Sequence, residues 1–205
     1  MLPSRPPEPL VNEILPLGRN FVAKKAFFSF LGGTFRIFGP DGQLQFYVKQ
    51  KAFRLKEELN VFADEAQTQK RLTILARNWS DFSSAYDVTD ATTGAVVGAC
   101  KREGLKSMFR DSWLVLGEGD ALVGTCKEDS MFMALIRRFF FKNLIPQSFT
   151  IANDQGAQIG TIKQRWNPFQ LAYDVSFDGS QNASLDPRLG IALVVLLLAI
   201  EGRQD

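Results

Sequence analysis

Residues 189–200 read LGIALVVLLLAI and form the longest apolar run in the chain. Asp186 and Pro187 precede the run, and this pair is typical of a helix start, because Asp serves as N-cap and Pro suits the first helical position. A helix over about 187–201 would be apolar on every side, so lipid or protein must bury it. A membrane-spanning helix needs about 20 apolar residues, whereas this run has twelve. We therefore predict a core helix buried inside protein.

The rest of the chain predicts strands that could surround this helix. Four segments share one layout of strand, tight turn and return strand, which is the layout of a hairpin: residues 35–49, 86–101, 113–127 and 149–163. An eight-stranded barrel is filled by its own side chains, so a barrel that holds a helix must be wider. About 160 residues can supply eleven or twelve strands of ordinary length. The predicted fold is mainly β, a closed antiparallel barrel of about 12 strands around a central hydrophobic C-terminal α-helix.

Three of the four return strands contain the pattern Gly-x-x-Lys, at 98–101, 124–127 and 160–163. A glycine inside a strand often marks a bend, a bulge or a close approach of another backbone. A barrel needs such points to curve and close. The pattern therefore supports a barrel, and it places Lys101, Lys127 and Lys163 at equivalent positions.

Residues 1–18 differ in composition from the rest, with five prolines in the first sixteen positions. Such a segment is typical of a solvated, polyproline-like tail. The spacing Pro3-x-x-Pro6 and Pro6-x-x-Pro9 also suits an SH3-type partner, so the tail is either a plain disordered lead or a protein-binding site. Residues 19–205 are predicted to form the barrel domain.

Composition excludes several classes of function. The chain has no histidine, which removes His-dependent nucleophile systems and His-ligated metal sites. Its net charge of +2 is too small for a nucleic-acid binder that works by charge alone. Cys100 and Cys126 form no CxxC pair, and no catalytic motif or small-molecule site is visible. Without a secretory leader at its start, the chain is expected to be a cytoplasmic, non-enzymatic protein.

Three segments resemble known proteins. Residues 149–169, FTIANDQGAQIGTIKQRWNPF, together with the apolar helix that follows, resemble the C-terminal part of phospholipid scramblases. Residues 47–65, YVKQKAFRLKEELNVFADE, and 81–88, DFSSAYDV, are similar to the LURP-one-related proteins. The resemblance spans roughly residues 20–202. It implies the tubby-like fold, in which twelve antiparallel strands close around a C-terminal helix.

The function implied by this resemblance is divided. Tubby domains bind phosphoinositides, scramblases are proposed to move phospholipids with calcium, and LURP-one-related proteins have no settled biochemistry. The scramblase cysteine-rich segment for lipid attachment is absent here. Asp178 and Asp186 are the candidate calcium ligands, but calcium takes six to eight oxygens, and Asp186 is better explained as the helix cap. No cofactor other than calcium is expected.

The candidate lipid-binding residues fall into three groups. Arg137, Arg138 and Lys142 flank Phe139, Phe140 and Phe141, and cations mixed with bulky apolar residues are typical of an interfacial membrane segment. Lys49 and Lys51 lie two residues apart in a predicted strand, so they share a face, with Arg54 close by. Lys101, Lys127 and Lys163 could form a basic rim, and Trp166 could reach lipid headgroups. For each group the structural alternative is an ordinary solvated or packed surface.

Three hypotheses follow for function. The first is peripheral binding of an anionic phospholipid or phosphoinositide at the membrane. The second is a regulatory scaffold that recruits a protein partner through the Pro-rich tail. The third is calcium-dependent phospholipid scrambling, which requires a hydrophilic path that one buried helix does not supply.

Overall fold

The chain forms a closed barrel of twelve antiparallel strands around one helix, as the sequence predicts. In this computed structural model the described residues are 20–26, 32–51, 58–77, 85–103, 112–129, 146–167, 170–177 and 185–201. The strands are β1 Asn20–Ala26, β2 Gly32–Phe38, β3 Leu44–Lys51, β4 Leu59–Phe62, β5 Lys70–Ala76, β6 Ala85–Asp90, β7 Val96–Arg102, β8 Ser112–Leu116, β9 Leu122–Glu128, β10 Ser148–Asn153, β11 Gln158–Arg165 and β12 Gln170–Phe177, and the helix is α1 Pro187–Glu201.

Each strand pairs with its neighbours in sequence, and β1 pairs with β12 to close the barrel. The four predicted hairpins are confirmed as β2–β3, β6–β7, β8–β9 and β10–β11. Because the strands alternate in direction, connections alternate between the two ends of the barrel. We call one end the turn end. Its five short turns are 39–43, 63–69, 91–95, 117–121 and 154–157. The opposite end is the connection end.

The helix α1 runs through the barrel from the turn end to the connection end. Every residue from Ile191 to Ala199 is at most 1% exposed, so the prediction of burial in protein is confirmed. Strand side chains that point inward pack around the helix, and the Cys100 Sγ donates to the Leu189 carbonyl at 3.8 Å. Gly190 lets the Phe177 ring pack directly against the helix, because an added Cβ there would lie 2.8 Å from that ring.

Charged residues hold both ends of the helix. At the turn end, Asp186 caps α1 by accepting from the Arg188 backbone N–H at 2.8 Å, which confirms its predicted role. The Arg188 side chain also donates to Asp186 at 2.7 Å and to the fully buried Asp90 at 2.8 Å. At the connection end, the buried Lys25 Nζ donates to the Leu198 carbonyl at 3.2 Å. A cation at this position also complements the negative end of the helix dipole.

The glycines of the Gly-x-x-Lys pattern sit where backbones approach closely. A Cβ on Gly124 would lie 2.8 Å from the Ala152 carbonyl oxygen, and one on Gly160 would lie 2.8 Å from the Ser176 carbonyl oxygen. Gly98 is the tightest case: its φ is +150°, and an added Cβ would collide with the Leu116 carbonyl oxygen. The sequence prediction that these glycines mark close approach is therefore confirmed.

We expect Gly98→Ala to lower the free energy of unfolding by at least about 2 kcal/mol, because it combines backbone strain with overpacking. Urea unfolding followed by circular dichroism would measure the loss. Gly42→Ala is the matched control, since Gly42 has a φ of +76° but no atom within 4 Å of the added Cβ. Equal losses in the two variants would show that backbone approach at Gly98 is unimportant.

Candidate functional site

Five lysines point outward near the ends of strands that finish at the connection end. Each lies within the last three residues of its strand and alternates with inward-facing neighbours. We call them the lysine ring: Lys24 on β1, Lys49 on β3, Lys101 on β7, Lys127 on β9 and Lys163 on β11. Because β3, β7, β9 and β11 are the return strands of the four predicted hairpins, the repeat in the sequence becomes a repeated position in space.

The strand register places these lysines at one height on the barrel. Lys127 lies opposite Thr150, and Thr150 lies opposite Thr161, which is two residues before Lys163. Going from Lys127 to Lys163 therefore crosses two strands, a distance of about 9.6 Å, and moves two residues along the strand, a distance of about 6.6 Å. We call this one step of the ring. The line that joins the two lysines is therefore inclined by about 35° to the perpendicular of the strands, and this angle matches the strand tilt of a closed barrel. A stagger of this size keeps Lys127 and Lys163 level with each other.

The same step repeats around most of the barrel. From Lys101 it leads to Lys127, from Lys163 to Lys24, and from Lys24 to Lys49. On β5 the equivalent position holds Leu75, which is 48% exposed, instead of a lysine. Neighbouring lysines of the ring are thus about 12 Å apart between Cα atoms.

The positive charge of the ring is only partly compensated within the described residues. Lys49, Lys127 and Lys163 are exposed and form no ion pair there. Nearby carboxylates have other partners: Asp129, two residues beyond Lys127, accepts from the Ser148 and Thr150 hydroxyls at 2.6 Å each. Asp174 accepts two hydrogen bonds from Arg165, at 2.6 and 2.8 Å. The ring therefore keeps a net positive field although the chain as a whole is nearly neutral.

Arg77 binds two carboxylates on the outer surface. It lies 2.6 Å from Asp87 and 2.7 Å from Asp120. The hydrogen bonds that Arg77 donates to Asp120, followed by the one that it donates to Asp87, raise the pKa of Arg77, and Arg77 in turn lowers the pKa of Asp120. Lys101 also contributes to the lowering of the Asp120 pKa, so one ring lysine has a carboxylate nearby.

Only some of the other predicted site residues lie within the described part of the chain. Trp166 is 62% exposed and follows β11 directly at the connection end, close in sequence to Lys163. Lys51 ends β3 at the same end, but its side chain lies outside the described residues. Several further candidates also lie outside the described residues: Arg54, Arg137, Arg138, Phe139, Phe140, Phe141, Lys142 and Asp178, as does the Pro-rich segment 1–18.

Among the described residues, no set of calcium ligands forms around the candidate Asp186. The Asp186 carboxylate is engaged by the Arg188 backbone and side chain. In the part of the chain that is described, no three His, Cys, Asp or Glu side chains come together as metal ligands. In the same part of the chain, none of the helices has the length and apolarity needed to cross a bilayer.

Sequence reasoning missed Lys24, Arg165 and Arg36 as surface cations. In β1 the adjacent Lys24 and Lys25 differ completely, since Lys24 points outward and Lys25 points to the helix. The alternation Phe21-x-Ala23-x-Lys25 indicates that Lys25 faces inward and Lys24 outward. This pattern can be recognised only once β1 is known to be a strand whose inner face includes a lysine.

The comparisons with known proteins give one match. A family model described as LURP-one-related matches residues 44–198. This range includes β3 to β12 and most of α1, together with four of the five ring lysines. No curated protein and no solved structure matches the chain.

Proposed function

The chain belongs to the LURP-one-related family, and from that premise we propose that it is a non-enzymatic protein that binds anionic phospholipid at a membrane surface. The observation that carries this proposal is the lysine ring. Five cations at one height define a plane perpendicular to the barrel axis, which is the geometry needed to meet a flat, negatively charged surface end-on. Each Lys or Arg near such a surface contributes about 1 kcal/mol of attraction.

The sequences of the connections support the same orientation. Every connection between strands at the connection end contains a phenylalanine: Phe27, Phe53, Phe82, Phe109, Phe132 and Phe169. The five turns of the turn end contain no aromatic residue. In the sequence, aromatic residues thus follow or precede the strand ends that carry the ring, and cations combined with aromatic residues are typical of interfacial contact.

Trp166 supports the proposal from within the described residues. It is the most exposed aromatic side chain there, at 62%, and stands one residue beyond β11 at the connection end. Tryptophan favours the boundary between water and lipid because it combines a large apolar ring with one polar N–H.

The two other hypotheses lack such support. No contact among the described residues supports recruitment of a partner through residues 1–18. The same is true of calcium-dependent scrambling.

We expect the full chain to sediment with vesicles of phosphatidylcholine that contain phosphatidylserine, and not with vesicles of phosphatidylcholine alone. Binding should weaken as salt rises, because the ring is exposed and its field is screened within about 10 Å at 0.1 M ionic strength. Calcium should not be required. Equal sedimentation with both kinds of vesicle would contradict an electrostatic surface interaction.

A further inference from the structure

A groove of about 580 Å³ opens on the outer face of the barrel where β11, β12 and β1 meet the β2–β3 turn. It extends along β1, because its lining includes both Asn20 and Lys24, the first and fifth residues of that strand. Four residues of strand span about 13 Å. The groove is therefore long enough to hold four or five residues of extended chain.

Two cations of the groove have charges that are not offset inside it. Arg165 and Asp174 both line the groove and bond each other at 2.6 and 2.8 Å, so their charges compensate. Lys24 and Lys163 also line it, and neither forms an ion pair within the described part of the chain. Both belong to the lysine ring. An occupant of the groove should therefore bring negative charge.

One side of the groove is apolar. Phe38 and Pro40 line it at the β2–β3 turn, and Val22 lines it on β1. Pro40 is exposed and the other two are half-buried, so all three present apolar surface to an occupant. The Lys24 Nζ lies 5.0 Å from the Phe38 ring centroid, which places a cation beside this surface. The occupant should therefore combine a carboxylate with apolar side chains.

The residues just before β1 have this composition. Residues 10–18 read LVNEILPLG, and Glu13 is the only charged residue among them, followed by four apolar residues. We call residues 10–18 the arm. The arm lies outside the described residues, but the chain that it belongs to enters the structure at Asn20, which lines the groove. The segment with the right chemistry is thus tethered at one end of the groove.

The arm can reach the groove cations if the chain reverses direction at Gly18. Glycine suits a tight turn because it adopts left-handed backbone readily. Pro16 favours extended backbone in the residue before it. Counted back from the turn, Glu13 lies four extended residues away, about 13 Å, which is also the distance from Asn20 to Lys24. The Glu13 carboxylate would therefore come level with Lys24.

We propose that the arm docks in the groove with Glu13 between Lys24 and Lys163 and covers these two members of the lysine ring. The docked arm is then an autoinhibitory contact, since an anionic membrane must displace it before the whole ring can meet the surface. The inference rests on the proposed function for the competing membrane, whereas the docking itself does not depend on it.

A spin label at position 12 tests the docking in the full chain. Asn12→Cys can be labelled alone, because both native thiols are fully buried. Lys163 and Lys49 lie one step of the ring on either side of Lys24. A docked arm should therefore broaden the amide NMR signal of Lys163 and spare that of Lys49. An arm that only moves around its attachment point should broaden both signals alike.

Two charge variants identify the contact that holds the arm. Glu13→Gln should remove the difference between the two amide signals, whereas Glu8→Gln makes the same change in charge outside the arm and should preserve it. Equal broadening in the unaltered chain, or loss of the difference in both variants, overturns the docking. The same difference between molecules, with spin label and isotope on separate chains, would assign the segment to a second copy and overturn the intramolecular contact.

Vesicles separate the docking from the membrane function. If the arm is docked in about nine molecules of ten, its release by Glu13→Gln should tighten binding to phosphatidylserine vesicles about tenfold, and Glu8→Gln should have a much smaller effect. Unequal broadening with no change in vesicle affinity overturns the autoinhibition. Unequal broadening with no variant bound to vesicles overturns only the membrane function, and vesicle binding with equal broadening overturns only the docking.

Discussion

Replacing Arg188 with Met should lower the free energy of unfolding by about 3 kcal/mol at neutral pH, because it leaves a buried carboxylate without its cation. Asp90 is fully buried, and Arg188 Nη1 donates to it at 2.8 Å. This contact joins β6 to the first turn of α1, so it fixes how far the helix enters the barrel. A single substitution here should therefore weaken the link between helix and barrel without altering any apolar contact of the core.

The loss should depend on pH in a defined direction. Burial tends to raise the pKa of Asp90, but hydrogen bonds from Thr92 and then Arg188 outweigh it, and the pKa is lowered from its usual value of 3.8. A lowered pKa stabilises the fold above the pKa of the unfolded carboxyl, and this contribution disappears as pH falls through the folded pKa. The difference between Arg188→Met and the unaltered chain should thus be largest at neutral pH and shrink in acid.

Urea unfolding at pH 7 and at pH 3.5 would measure both effects. The double variant Asp90→Asn with Arg188→Met is the control, since it removes the buried charge together with its partner and should recover part of the lost stability. A loss in Arg188→Met that is the same at both pH values, with no recovery in the double variant, would show that the contact is only a packing interaction.

Reversing two charges of the lysine ring should have the largest effect on membrane binding. Lys49→Glu with Lys127→Glu changes the local charge by four units, so the affinity for phosphatidylserine vesicles should fall roughly 1,000-fold, at about 1 kcal/mol per charge. Both side chains are exposed and form no ion pair among the described residues, so stability should change little.

A matched variant at the turn end isolates position from net charge. Lys70→Glu with Arg71→Glu makes the same change in net charge at the start of β5. Lys70 forms an exposed pair with Glu58 at 3.6 Å, and a pair of this kind contributes little, so its reversal should cost little stability. Vesicle sedimentation of the two double variants should therefore differ greatly. Equal losses would mean that net charge, and not the ring, governs binding.

The fold could be predicted because its signals are local and repeated. The run from Leu189 to Ile200 is too short to span a bilayer and too apolar to face water, which leaves burial in protein. The hairpins and the Gly-x-x-Lys pattern then supply a barrel wide enough to hold it. Confirmation came from Gly98, Gly124 and Gly160, each of which meets the backbone of a neighbouring strand.

The site could be predicted only in part, because its geometry depends on register. The sequence indicates Lys49, Lys101, Lys127 and Lys163 as candidate lipid-binding residues. Their common height along the barrel axis, however, depends on a register that shifts by two residues for every two strands crossed. Lys24 completes the arrangement from a strand that pairs with the far end of the chain. The sequence anticipates a basic rim of Lys101, Lys127 and Lys163, but contacts between residues 24 and 172 carry no local pattern, so the complete ring is not visible before the barrel closes.

Both native cysteines make a direct test of orientation practical. Cys100 and Cys126 are fully buried, and burial raises the pKa of Cys100 to about 12, so neither thiol should react with a label in the folded protein. A cysteine introduced on the surface can therefore be labelled selectively. Trp166→Cys places a label at the connection end, and Gln155→Cys places one at the turn end.

The decisive measurement is the emission of an environment-sensitive fluorophore at each of these two positions, with and without phosphatidylserine vesicles. End-on binding through the lysine ring predicts a blue shift and rise in intensity at position 166 and no change at position 155. A response at position 155 alone, or at neither position while the protein sediments with the vesicles, would contradict the proposed orientation.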